Sequence, residues 1–418
     1  MKNRFVMSCV IWLCLSRGML WAADLSVSDF GQLISALDSA APGDTILMAD
    51  GVYQISGTWA VAVTTPDIVI RSASGNRENV IVNGMGMNAA GHHGFWVSAH
   101  DVTIRDLTVQ NVRNHCIQTD INVDNLRIVN CVLRDAGEQI LKVPFSSGIA
   151  DPAENGIVEN CLFEYSAGFG PRSYIGGIDV HFGRDWIVRD NTFRFIRSPG
   201  GSLAEHAVHF WTNSEGTLVE RNKIITCDRG IGFGLGSSGH TGGVIRNNMI
   251  YHDGSPGFND VGIGLENASD VTVCNNTICQ LSSYPNGIEY RFPGTTARIE
   301  NNLSNKAIAG RDGGAAIFGG NLTNALESWF AEPESGDLHL AFRVESVVDQ
   351  GIFSEHVQDD YDRQVRSPGS AMDIGADELS FCRPDGDMDA DVDGSDLVHF
   401  LENYQDGCLA EFAVAFGR

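Results

Sequence analysis

From about residue 60 to residue 320 the chain alternates short apolar runs with polar breaks. Segments such as Gly243-Val-Ile-Arg-Asn-Asn-Met-Ile250 place apolar side chains two apart, the mark of half-buried strands, and helical periodicity is absent there. The same punctuation returns at Asn130-Cys131, Asn160-Cys161, Asp190-Asn191, Arg221-Asn222, Asn247-Asn248, Asn275-Asn276 and Asn301-Asn302, every 26 to 31 residues. A strand, an Asn turn and another strand cannot bury an apolar face alone, and stacking the copies solves that. The pattern predicts an all-β parallel β-helix solenoid of nine or ten rungs, and the chirality of parallel crossovers makes it right-handed. Asn accepts left-handed backbone angles, and its amide reaches the Asn one rung away, about 4.8 Å distant. The Asn repeat is therefore read as structural.

A second repeat, Ile140-Leu141-Lys142, Gly177-Ile178-Asp179, Ala207-Val208-His209, Gly230-Ile231-Gly232, Gly262-Ile263-Gly264 and Gly287-Ile288-Glu289, fixes another strand. With its aliphatic residue inward, the next residue faces solvent. That outward column reads Lys142, Asp179, His209, Gly232, Gly264, Glu289, and two residues further on it reads Pro144, His181, Trp211, Gly234, Glu266, Arg291. A purely structural surface would carry scattered Thr, Ser and Lys. Here titratable groups and an aromatic surround a glycine floor at Gly232, Gly234 and Gly264, where a ligand can approach the backbone. The long connections 144–155, 167–176 and 197–206 are expected to precede this strand and wall one side. At the open first rung, Ser28 as N-cap and Phe30 to Leu37 read as an amphipathic capping helix.

Composition narrows the class. Among 418 residues, 53 Asp and Glu outweigh 28 Lys and Arg, so the net charge of −25 argues against a nucleic-acid binder. Lys2, Arg4, an apolar run from Phe5 to Leu15 and Ala22-Ala23 read as a signal peptide over 1–23, too short to span a bilayer. The expectation is a secreted, extracellular or periplasmic monomer with no transmembrane segment, whose β-helix occupies 24–380 and whose last module occupies 381–418.

In that module Asp385, Asp387, Asp389, Asp391, Asp393 and Asp396 stand at positions 1, 3, 5, 7, 9 and 12 of a loop, with Val392 at position 8. Those are the positions of a calcium loop, and six acids in twelve residues repel one another without a cation. Cys382 and Cys408 flank the loop and are the expected disulfide.

Taken together, these features resemble the right-handed parallel β-helix proteins that act on polysaccharides, among them pectate lyases, chondroitinase B with its alginate-lyase relatives, and β-helix glycoside hydrolases. Ala40 to Tyr53 looks like the usual opening of that fold and Asp373 to Glu378 like a common ending. Gly137-Glu138-Gln-Ile-Leu-Lys142 with Gly156 to Phe163 resembles the chondroitinase B and alginate-lyase pattern, in which a Glu shortly precedes the catalytic-base Lys. His181 falls near that family's Arg-His pair, with Val180 in place of the Arg. The acidic loop with a following helix from Leu397 to Tyr404 resembles half of a dockerin, with Ala390 in place of Gly, which implies a calcium-bound tail for surface or cohesin-like attachment.

The resemblance implies a polysaccharide lyase acting on an anionic, uronate-containing polymer by β-elimination. Lys142 is then the expected base, because burial disfavours the charged form of an amine. His181 or His209 would protonate the leaving oxygen. Asp179 would orient them, and Arg291 or a second calcium ion in the groove would hold the carboxylate. Trp211 reads as a sugar-stacking platform, and Arg197, Glu205, His206 and Arg229 as groove residues. Two rivals remain open: an inverting hydrolase using Glu266 and Glu289, placed roughly 8 Å apart along a rung diagonal, and a non-catalytic glycan-binding surface protein.

Overall fold

A computed structural model describes residues 22–89, 92–254, 259–366, 371–379, 392, 394 and 396–398. The chain coils through about nine turns of parallel strands arranged as three long faces. One turn is traced by Gly176–His181 on the first face, Ile187–Arg189 on the second and Thr192–Arg194 on the third, before Val208–Trp211 returns to the first. A ten-stranded sheet forms the first face, a twelve-stranded sheet the second and another ten-stranded sheet the third, with a five-stranded ribbon of two-residue strands, such as Gly183–Arg184, at one edge. Leu141, Ile178, Val208, Ile231, Ile263 and Ile288 stack inside the first face, all fully buried.

The corners are built as the Asn repeat requires. Asn130, Asn160, Asp190, Arg221, Asn247, Asn275 and Asn301 all have φ between 50 and 57°, in the left-handed region. The residue after each points inward. Asn191, Asn222, Asn248, Asn276 and Asn302 each donate from Nδ2 to Oδ1 of the next rung at 2.9–3.0 Å, ending on Asn321. Cys161 and Cys131 continue the line, with Cys131 N donating to Cys161 Sγ at 3.3 Å and Cys161 N to Asn191 Oδ1 at 2.9 Å.

Three details differ from the sequence reading. The helix Phe30–Ser39 packs Leu33, Ala36 and Leu37 inward, but its N-cap is Asp29, whose carboxylate accepts from Gln32 N at 2.9 Å. Ser28 lies one residue earlier and bonds to the Gln32 side chain. The connection after Val143 leaves the first face instead of leading onto it, because Lys142 sits in Gln139–Val143, before that loop. Finally, the third face is covered from outside. Phe330–Glu332 and Asp337–Leu340 pair antiparallel, and Leu338, Leu340, Val347 and Ile374 pack on Ile225, Met249, Tyr251 and Cys279. Asp373 to Glu378 docks on the Asn corner, where Asn275 Nδ2 donates to Asp373 O and Gly375 O at 3.2 Å.

Asp385, Asp387, Asp389, Asp391, Asp393, Cys382 and Cys408 lie outside the described residues, as do residues 1–21, where the signal peptide is expected. Asp396 is described, buried and helical. No described helix is long and apolar enough to cross a membrane.

Candidate functional site

The register places the expected outward column in line. Lys142 pairs across to Asp179, Asp179 to His209, His209 to Gly232, Gly232 to Gly264 and Gly264 to Glu289. Toward the N-terminal end the same column continues through Gln118 to Trp96. The second column aligns His181 with Trp211 and Glu266 with Arg291.

Lys142, Asp179, His181, His209 and Trp211 form one connected cluster. Lys142 Nζ donates to Asp179 Oδ2 and lies 2.8 Å from His181 Nε2. Trp211 Nε1 donates to the other Asp179 oxygen at 2.8 Å, and His209 Nδ1 lies 3.9 Å from that oxygen. Burial alone would raise the Asp179 carboxyl, but His181, Lys142 and His209 together hold it well below the usual carboxylate range. Burial pushes His209 down despite Asp179 and Glu205. A carboxylate fixed in its charged form thus anchors an amine and two imidazoles. Trp211, expected as a platform, lies parallel to His209 at 5.4 Å and tilted against His181 at 4.2 Å. Its engaged indole holds the cluster in place.

Thr212 was not singled out from sequence. Its hydroxyl lies 3.0 Å from His181 Nδ1, and its φ is 56°, a costly conformation for a β-branched residue. The only signal available was its place directly after Trp211. Arg311 was also missed, although it sits one rung beyond Arg291.

The glycine floor has another physical origin than ligand access. A Cβ on Gly232 would stand 2.7 Å from the His206 ring, so the protein's own imidazole fills that space. Gly234 has φ 78° and a Cβ there would meet Glu266 O at 1.9 Å. Gly264 is more open, with Val261 Cγ1 at 3.2 Å. Beyond it lies a cleft of about 110 Å³ lined by His206, Arg229, Glu266, Glu289, Arg291 and Arg311.

At that end the carboxylates are tied up. Glu266 pairs with Arg291 at 2.8 Å and accepts from Gly236 N at 2.6 Å. Glu289 takes Arg311 at 3.1 Å, Asn286 Nδ2 at 2.6 Å and the Tyr284 hydroxyl. Arg291 also holds Asp312 at 2.8 Å, and Arg229 pairs with Asp260 at 3.1 Å while lying 3.9 Å from Glu205. Arg197 acts on Asp228, Cys227 and His252, away from the Lys142 cluster. Asp228 accepts from Ser198 N and Ala204 N at 2.8 Å each, pinning the connection before the first-face strand.

Among the described residues Glu205, His206 and His209 bring one ligand atom each within 4.8 Å of one another. Two imidazoles and one carboxylate suit a borderline transition ion. Calcium prefers six to eight oxygens, so the donor set fits a groove calcium poorly.

No family model and no curated protein matches the chain. Among solved structures the chain is similar to pectate lyase Pel9A, with a TM-score of 0.60 at 15% identity, covering 87% of this chain and 98% of that one. An alginate lyase from Paenibacillus sp. str. FPU-7 is a more distant likeness, with a TM-score of 0.46 at 14% identity, covering 71% of this chain and 99% of that one. At this identity the likeness to Pel9A shows a shared parallel β-solenoid fold.

Proposed function

We propose that the protein is an exported polysaccharide lyase that cleaves a uronate-containing polymer by β-elimination on its first face. The observation that carries this reading is the Lys142–His181 contact, braced by Asp179. β-Elimination needs a base for the C5 proton and an acid for the leaving oxygen. At 2.8 Å the Lys142 and His181 nitrogens are close enough to pass a proton directly between them. Lys142 Nζ takes the C5 proton in this scheme, and His181, next to the Asp179 charge, gives a proton to the leaving C4 oxygen, a role less suited to His209, which burial pushes down. Thr212 fixes the His181 ring through Nδ1. Arg291, which already holds two carboxylates, lies five rungs from Lys142, about 24 Å along the axis, so in this scheme it takes the carboxylate of a remote sugar ring and not the one beside the C5 proton. The fold similarity to a pectate lyase supports the choice of substrate class.

An inverting hydrolase would need one carboxyl group to carry a proton. Glu266 and Glu289 are instead each fastened to an arginine. A mere glycan binder would have no use for a largely buried Lys–Asp pair, whose desolvation is costly. The acidic loop containing Asp396 is proposed to bind calcium as a separate tail.

The test is incubation with a panel of uronate polymers. Each lyase cut creates a C4–C5 double bond conjugated to a carboxylate and absorbs in the ultraviolet. Lys142→Ala should lower turnover by about 10²–10⁴-fold, and Glu266→Gln by far less. New reducing ends without absorbance, lost in Glu266→Gln and kept in Lys142→Ala, would overturn the lyase reading.

A further inference from the structure

The N-terminal end of the first face carries an aromatic group that the catalytic scheme does not use. Trp96 projects outward from Phe95–Val97, between two fully buried neighbours. Trp59, in the connection just before Val61–Val63, leans on it with ring centroids 4.9 Å apart at 69°. His93 meets both indoles edge-on, at 5.8 Å from Trp59 and 5.2 Å from Trp96.

The group is held in place. Trp96 Nε1 donates to Asp120 at 3.2 Å, and His93 Nε2 bonds with the Asn114 amide at 2.9 Å. Burial pushes His93 down to about 4, so it is a neutral ring at ordinary pH. Trp59 nevertheless remains 52% exposed, the most exposed tryptophan among the described residues. A single exposed apolar residue is ordinary. Two indoles and an imidazole, fixed edge to face on a binding surface, are not scattered.

Their register supplies the occupant. Trp96 pairs with Gln118 and Gln118 with Lys142, so Trp96 shares the outward column of the reactive amine two rungs away, about 9.6 Å along the solenoid axis. A polymer laid along that column to bring one bond to Lys142 must pass over Trp96. A pyranose has a C–H face that is apolar and a rim of hydroxyls, which matches an indole face with a polar edge.

We infer that Trp59, Trp96 and His93 form a stacking platform for a sugar ring of the substrate chain, remote from the bond that is cut. This rests on the reading of the first face as a uronate-polymer groove. The platform binds through ring faces, whereas Arg229, Arg291 and Arg311 at the opposite end bind through charge. Platform binding should therefore persist in high salt while the arginine end is screened.

The experiment measures affinity and kcat/KM of the full-length protein for purified oligouronides of increasing length, at low and high salt. Trp59→Ala and Trp96→Ala should weaken binding of chains long enough to span both sites by about tenfold, at either salt. Trp96→Phe, which keeps a ring, should retain most of it. Trp59→Ala is the safer variant because that side chain lies half in solvent, and circular dichroism confirms folding. An unchanged length dependence in both alanine variants, with cleavage intact, would overturn the platform alone. Cleavage without ultraviolet absorbance but with the tryptophan-sensitive length dependence would keep the platform and overturn the lyase. Absence of binding to every uronate polymer would overturn both.

Discussion

Two lines of side chains run along the same solenoid axis and obey opposite rules. Inside, the corner line repeats Asn191, Asn222, Asn248, Asn276 and Asn302, each donating to its successor. Outside, the first-face column runs Trp96, Gln118, Lys142, Asp179, His209, Gly232, Gly264 and Glu289, with a new residue type at almost every rung. An amide is donor and acceptor at once, so identical amides stacked about 4.8 Å apart satisfy one another. Identical charges at that spacing repel, and acid–base chemistry needs unlike partners. In a solenoid, sameness from rung to rung therefore marks construction, and change from rung to rung marks chemistry.

The comparison breaks most sharply at Asn248. Its carboxamide accepts from Asn222 N at 3.0 Å and donates to Val219 O and Asn276 Oδ1 at 2.9 Å, all fully enclosed. Asn248→Ala strands these groups without water, which should cost about 3 kcal/mol of stability. If the inner line is purely structural, kcat on a cleavable polymer stays at the wild-type value. Chemical denaturation paired with an ultraviolet rate assay checks both halves, and a large loss of kcat in folded protein would erase the distinction.

This contrast also explains what the sequence disclosed. Period-two alternation and the recurring Asn pair declare the strands, their register and the inner ladder, because each depends on neighbours at fixed spacing. The column from Lys142 to Glu289 is legible for the same reason: knowing that Ile178 or Val208 points in fixes Asp179 and His209 as pointing out. What the alternation leaves silent is how far each outward side chain reaches. Gly232 reads as an open floor, yet the His206 ring, arriving from a connection, fills it. Trp211 reads as a platform, and the alternation does not disclose the bond its indole N–H makes to Asp179. The N-cap falls on Asp29 because Asp29 and Ser28 are both capping residues and only geometry separates them. The wrap of Phe330–Leu340 over Ile225, Met249 and Tyr251 follows no period at all.

Trp211 sharpens the outer half of the comparison. Trp211→Phe keeps a ring beside His209 and His181 and removes only the 2.8 Å bond to Asp179. One charge-assisted bond is worth about 1.5–3 kcal/mol, and here most of it should appear as lost alignment. The expected result is a fall in kcat of about tenfold with KM nearly unchanged and a displaced pH–rate profile. A structural role would instead lower the melting temperature and leave the profile in place, so the two measurements separate the possibilities.

The smallest effect is expected where the inner line departs from its own rule, at Cys161. Its Sγ accepts from Cys131 N at 3.3 Å and approaches Ile128 O at 3.6 Å, while its own N–H already donates to Asn191 Oδ1 at 2.9 Å. One rung on, Asn191 makes the corresponding contacts with an amide, donating from Nδ2 to Val158 O at 2.9 Å. The corner at 161 thus offers a carboxamide the same carbonyl, in register, that Asn191 finds. Burial pushes the Cys161 thiol far up, so the sulfur stays a neutral, weak donor, and little charge or reactivity is lost on replacement. Cys161→Asn should extend the ladder by one rung and raise stability by about 0.5–1 kcal/mol, with the reverse change, Asn191→Cys, lowering it by at least as much. Melting temperatures of the two variants measure this directly. Destabilisation by Cys161→Asn would mean that the corner at 161 is shaped for sulfur, and that sameness along the inner line ends at Asn191 for a steric reason instead of an incidental one.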